Sequence, residues 1–170
     1  MPEQLTLDLD ASAPTRSAVI SPCGRYRYRL DRRWADGPSI AWIMLNPSTA
    51  DSNTDDPTIR RIRAFSQAWG FGALTVVNLY AWRATDPRDL WQAPGPVGPE
   101  NDAYLVGACA ESDVIAAWGA NARADRIAEV LALPGMARVQ ALEVTKAGQP
   151  RHPLYLRGDL TPQPWREPRA

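Results

Sequence analysis

Three runs in this 170-residue chain are apolar almost without a break: Ile40–Leu45, Ala73–Leu79 and Val114–Trp118. A strand with one face in water alternates apolar and polar residues. A continuous run instead marks a strand buried on both faces, the usual condition of a parallel sheet. A fourth, less pure run covers Arg138–Val144.

The segments between these runs read as helices. Asp56 and Pro57 make a helix start, with Asp56 as the cap and Pro57 in the first helical position. Ile59, Ile62, Phe65 or Ser66, and Trp69 then fall on one face, and Gly70 closes the helix. Further helices are expected from Glu100 to about Ser112 and from Ala122 to Leu133, the last ended by Pro134-Gly135. Strand and helix in alternation predict an α/β domain whose parallel sheet is covered on both sides.

Ahead of these units, Arg25-Tyr-Arg-Tyr-Arg-Leu30 alternates with period two. That predicts an N-terminal edge strand or hairpin, with Tyr26, Tyr28 and Leu30 inward and the arginines outward. Residues 1–16 are read as a flexible tail and residues 17–166 as one α/β domain, a size suited to a single core. Ala84–Pro99 and the stretch from Thr145 onward, rich in proline, are read as loops.

Right-handed crossovers place the carboxyl ends of parallel strands on one rim, and ligands of open α/β sheets bind there. The residues assigned to that rim are Asn46–Asp51, Asn78–Arg83, Trp118–Asn121 and the loop bearing His152. This locates a site on topology alone.

Composition narrows its chemistry. Nineteen basic and nineteen acidic residues cancel, so no overall field draws the chain to duplex DNA or to an anionic membrane. Two cysteines, Cys23 and Cys109, cannot form a disulfide framework, and a single histidine excludes a multi-histidine metal site. No run of about 18 apolar residues is present and no secretory leader is read, so the cytoplasm is the expected compartment. Seven tryptophans are many for this length, and part of that aromatic surface is available to line a site. No P-loop, dinucleotide fingerprint or Gly-x-Ser-x-Gly elbow occurs. Asp51, Asp55 and Asp56 are read as capping and solvating a helix start in preference to gathering around magnesium.

Two asparagines at strand ends and the sole histidine remain. An asparagine head carries an acceptor and two donors in one plane, which matches the amide edge of a nucleobase. Asn46 also fits the part of a turn residue before proline. Asn78 is harder to dismiss, because strands disfavour asparagine and a buried one demands partners. His152 reads either as a satisfied surface histidine or as a donor to a developing negative charge.

Met44-Leu-Asn-Pro-Ser-Thr-Ala-Asp51, Asp55-Asp-Pro-Thr-Ile-Arg60, Val77-Asn-Leu79, Arg83-Ala-Thr-Asp-Pro87, Val97-Gly-Pro-Glu-Asn101, Ala117-Trp-Gly119 and Arg151-His-Pro-Leu-Tyr-Leu156 occur in that order. Together they resemble the bacterial family known as domain of unknown function 1643, over about Cys23 to Trp165. More distantly, Asn46-Pro47, Asn78, Trp118-Gly119 and His152-Pro153 resemble the strand-end motifs of the uracil-DNA glycosylase superfamily. The Asn-Pro form is similar to its mismatch-specific uracil and thymine members.

The glycosylase likeness implies a three-layer α/β/α sandwich around a four-stranded parallel sheet of order 2-1-3-4. It further implies that a flipped base enters the rim pocket, where Asn78 holds its amide edge beside Pro47, Ser48 and Trp118. His152 would stabilise the departing base and Asn46 would orient a water, although a neutral amide cannot act as a general base. Candidate phosphate contacts are Arg60, Arg61, Arg83 and Arg151. The chain departs from the glycosylase pattern in having Leu154 in place of serine and Ser48 after Asn46-Pro47. No cofactor or metal is implied, and the oligomeric state is left open. Zero net charge favours a single-stranded or small substrate, a nucleic acid or nucleotide. Two functions follow as expectations: an N-glycosidase acting on a nucleobase, or a non-catalytic base-binding module of a defence or base-modification system. A small-molecule hydrolase using Asp51 or Asp55 is the weaker third.

Overall fold

The apolar run that starts at Ile40 becomes the middle strand of a seven-stranded sheet in the computed structural model, which describes residues 14–48, 53–110 and 112–168. The strands are β1 (Thr15–Ile20), β2 (Arg27–Arg33), β3 (Ser39–Met44), β4 (Ala73–Asn78), β5 (Asp113–Ala116), β6 (Gln140–Ala141) and β7 (Gln163–Pro164). The helices are α1 (Pro57–Ala68), α2 (Pro87–Gln92), α3 (Asn101–Cys109) and α4 (Ala124–Leu131), and a short 3-10 turn spans Pro153–Tyr155.

The sheet order is β1-β2-β4-β3-β5-β6-β7. Parallel pairing joins β4 to β3, β3 to β5 and β5 to β6, so the four strands expected to be parallel are neighbours at its centre. The expectation of a four-stranded, purely parallel sheet is nonetheless corrected. β2 adds to β4 antiparallel, β1 pairs antiparallel with β2, and β7 pairs antiparallel with β6. The sheet is mixed because a hairpin extends one side and a returning tail segment extends the other.

Residues of β3, and Leu45 directly after it, alternate between two cores. Ile40, Trp42 and Met44 join Ile59, Ile62 and Phe65 of α1. Ala41, Ile43 and Leu45 join Leu105 and Ala108 of α3 and Ile127 and Val130 of α4. Helices therefore cover both faces, which is why β3 is apolar from Ile40 to Met44. On the α1 side Trp42 stacks on Trp69 with ring centres 5.7 Å apart and donates its Nε1–H to Ser66 Oγ at 3.0 Å. Asp56 caps α1 as expected, its Oδ1 accepting from the Ile59 N–H at 2.8 Å, and Pro57 follows it.

Other differences have local causes. β2 lies between β1 and β4 and is not an edge strand, and Arg27 and Arg32 are only 3% and 2% exposed. The alternation of arginine with apolar residues thus marks an interior strand, two of whose guanidinium groups are buried. Arg32 donates from Nε to Asp55 Oδ1 at 2.8 Å and from Nη1 to the Asp31 carbonyl at 2.9 Å. β1 takes in Thr15 and Arg16, which lie in the stretch expected to be tail; residues 1–13 lie outside the described ones. The Ala84–Pro99 stretch, expected to be loop, holds α2, capped by Asp86, and the stretch after Thr145 holds the 3-10 turn and β7. Among the described residues no helix is long and apolar enough to cross a membrane.

The Arg32–Asp55 pair is nearly dry, with side-chain exposures of 2% and 10%. Removing one partner of a buried pair leaves the other charge poorly compensated. Asp55→Ala is predicted to lower stability by about 3 kcal/mol, measured as a shift in the urea unfolding midpoint at constant slope.

Candidate functional site

β3 and β4 end side by side, Met44 opposite Asn78 in the ladder. The chain leaves β3 through Leu45 and Asn46 and leaves β5 through Ala117 and Trp118. Gly119 then adopts φ +77° and donates its N–H to the Pro150 carbonyl at 2.8 Å. A side chain is disfavoured at that φ, and the turn brings residues 119–121 beside the loop that carries His152. The result is a cavity of about 320 Å³ at the carboxyl rim, at the small end of small-molecule sites.

Asn46, Ser48, Asn78, Trp118 and His152 all line this cavity, together with Arg27, Asp56 and Thr58. Topology assigns the first five to one rim, and the fold brings them together. Pro47 does not line it; its carbonyl accepts from the Ala84 N–H at 3.0 Å. Nor do the four arginines named for phosphate contact. Arg60 donates to the Asp55 carbonyl at 2.6 Å, Arg61 to the Leu156 carbonyl, and Arg83 to the Gly24 carbonyl at 3.1 Å. Arg151 pairs with Glu143 at 3.0 Å on the exposed surface.

Each lining group has a distinct chemical state. Asn46 is held by Nδ2, which donates to the Ala84 carbonyl at 2.8 Å and the Pro47 carbonyl at 3.1 Å. Its Oδ1 is the acceptor left over. Ser48 Oγ donates to Asp56 Oδ2 at 2.7 Å. Trp118 is 2% exposed, donates its Nε1–H to Gln149 Oε1 at 3.1 Å, and meets Trp165 edge-on at 5.3 Å. Its indole therefore belongs mainly to the core and contributes only a wall.

Asn78 is unlike the rest. It is 1% exposed, and among the described residues neither Oδ1 nor Nδ2 has a hydrogen-bond partner. Leaving a buried polar group unmatched costs about 1–3 kcal/mol. Its backbone is anchored from the other face of the sheet. Asn101 Nδ2 donates to the Asn78 carbonyl at 2.9 Å and to the Leu79 carbonyl at 3.2 Å. Arg126, itself 4% exposed, donates from Nε to the same Leu79 carbonyl at 2.8 Å.

His152 accepts the Leu154 N–H at Nδ1, 3.2 Å away, and so caps the 3-10 turn. With Nδ1 an acceptor, the proton of the neutral ring sits on Nε2. Burial holds the ring's pKa below its ordinary 6.5, against an opposing pull from the Asp56 carboxylate. Arg27 is the cation of the lining. Burial, opposed by the Asp56 field and aided by Arg83 and Arg32, brings its pKa down to about 10. It is charged at neutral pH all the same.

Asn101 and Arg126 are supporting residues that the sequence does not single out, and Arg27 is expected from it only as an outward-facing arginine suited to phosphate contact, not as a buried lining residue. Arg27 sits in a period-two pattern whose polar face reads as solvent-exposed. Asn101 closes the quoted Val97–Asn101 motif, but its burial in the first turn of α3 is visible only in the fold. Asp51 lies outside the described residues, and among the described ones no three His, Cys, Asp or Glu side chains converge as a metal set would.

The lowered pKa of His152 has a stability consequence. Above pH 6.5 the ring is neutral folded or unfolded, and its full contribution is present. As pH falls below 6.5, the unfolded chain takes up the proton first, and stability is lost until the folded-state pKa is passed. His152→Gln is predicted to flatten this part of the stability curve as pH falls below 6.5, read from urea midpoints at each pH.

Comparison with models of known protein families matches residues 27–154 to the family described as Protein of unknown function (DUF1643). No curated protein and no solved structure matches the chain, so the glycosylase likeness rests on its motifs. The family match spans well over half of the chain, from β2 into the 3-10 turn, and includes every lining residue named above, and the chain belongs to this family.

Proposed function

We propose that the rim cavity binds a nucleobase and that the protein is a uracil-DNA glycosylase-like N-glycosidase. Its substrate is a base in single-stranded nucleic acid or in a nucleotide. One observation carries the reading. Asn78 offers a buried planar amide, one acceptor and two donors, with no partner among the described residues, to a cavity it lines. The ligand that repairs such a deficit presents a matching donor and acceptor in one plane, as a base edge does.

The other lining groups suit cleavage. The Nε2–H of a neutral His152 is a donor for charge that develops on a departing base, and the low dielectric of a buried site strengthens it. Asn46, tied to the backbone by Nδ2, keeps Oδ1 to accept a hydrogen bond from a water. Support also comes from the central β4-β3-β5-β6 order with the site at its carboxyl rim, as the glycosylase likeness implies. A net charge of zero supports a single-stranded or small substrate, because affinity for a duplex rests on many phosphate contacts.

The test is incubation with single-stranded oligonucleotides carrying uracil, thymine or modified bases, followed by alkaline strand scission. The wild type is predicted to leave abasic sites, and Asn78→Ala and His152→Ala to lower the rate by about 10²-fold each. Base or nucleotide binding by calorimetry without scission would turn the reading to a binding module. Neither binding nor scission would overturn it.

A further inference from the structure

The cavity holds a carboxylate that the nucleobase reading leaves without a role. Asp56 receives two hydrogen bonds of different kinds: Oδ1 takes the Ile59 N–H at 2.8 Å, and Oδ2 takes the Ser48 hydroxyl at 2.7 Å. The first accounts for Asp56 as a helix cap. The second does not follow from capping, because the cap is complete with one oxygen. Ser48 and Asp56 both line the cavity with Asn46, Asn78 and His152.

The direction of the Ser48 bond sets its chemistry. A hydroxyl has a single proton, and Ser48 directs it to the carboxylate. The lone pairs of Oγ are then the part of the group that can accept a proton from a neighbour. Asn46, the residue whose motif position implies a water-orienting role, is a neutral amide with no capacity to take up a proton. A hydrolysis at this cavity needs a proton acceptor, and among the described residues of the lining the Ser48–Asp56 pair supplies one.

Resting on the nucleobase reading above, we propose that Ser48 and Asp56 form the proton relay that activates the attacking water of an N-glycosidic hydrolysis. The water oxygen forms a bond to the anomeric carbon as the bond from that carbon to the base nitrogen breaks. The electron pair of the broken bond leaves with the base, and the Nε2–H of His152 meets the resulting negative charge. One water proton passes to Ser48 Oγ while the Ser48 proton passes to Asp56 Oδ2. The sugar keeps the new hydroxyl, Asp56 is left as a neutral carboxyl, and it returns its proton to solvent while the base anion takes one up.

The experiment compares full-length variants on a uracil-bearing single-stranded oligonucleotide, with single-turnover rate, dissociation constant and thermal midpoint measured for each. Asp56→Asn keeps a side chain that caps helices well but removes the charge that faces the buried Arg27, so its midpoint is expected to fall while the chain still folds. Its affinity is expected to hold while its rate falls by about 10²-fold or more. Ser48→Ala is expected to lose rate in the same way, and Ser48→Thr, which keeps the hydroxyl, to recover most of it. Wild-type rate in either Asp56→Asn or Ser48→Ala overturns the relay and leaves the nucleobase reading standing. Binding by the wild type without cleavage overturns the relay and leaves only base binding. Neither binding nor cleavage overturns both. Should Asp56→Asn fail to fold, the Ser48 pair of variants decides the matter alone, since Ser48 carries no helix cap.

Discussion

A buried amide without a partner is the interaction on which the rest of this site depends. Asn78 sits at the end of β4 with both polar atoms of its head unmatched among the described residues, a deficit of about 1–3 kcal/mol. Such a group persists only if the backbone beneath it is prevented from turning the head elsewhere. Asn101 and Arg126 supply that restraint through the Asn78 and Leu79 carbonyls. Arg126 is in turn fixed by Asp102 at 2.6 Å and Glu129 at 3.1 Å. A polar network on the α3–α4 face thus stabilises the backbone of a residue that lines a cavity shared with the α1 face, which contributes Met44, Ile59 and Val76.

Charge in the cavity is arranged around three groups. Arg27 brings a buried positive charge, Asp56 a negative one committed to a helix cap and to Ser48, and His152 a ring that burial keeps neutral near pH 7. The neutral ring matters twice. It lets Nδ1 accept the Leu154 N–H, which shapes the 3-10 turn, and it leaves Nε2–H as a donor. One tautomer therefore serves the fold and the proposed chemistry together.

How far the sequence reveals this differs from residue to residue. Ile40–Leu45 and Ala73–Leu79 are legible as doubly buried strands because each is short, mainly apolar, rich in β-branched residues or tryptophan and bounded by turn residues. Asn78 is legible because a polar head in such a run is costly unless used, and His152 because it is the only histidine. The order of strand ends then places both on one rim. Arg27 is not legible, since period-two alternation shows two faces of a strand but not what covers each. α2, β6 and β7 are missed or mis-sized because elements of six and two residues carry too little periodicity against a background of proline and glycine. The Asn101 and Arg126 anchors are hidden because they bond to backbone carbonyls, which have no sequence signature.

The most direct test watches the Asn78 head itself. In side-chain amide NMR spectra of the 15N-labelled protein, with Asn78 assigned by its Asp variant, uridine monophosphate is titrated in. The Nδ2 proton signals of Asn78 are predicted to shift and to exchange more slowly with water as the base edge supplies their missing partner. Signals that stay in place while the nucleotide binds elsewhere, or that stay in place at saturating nucleotide, would contradict the account.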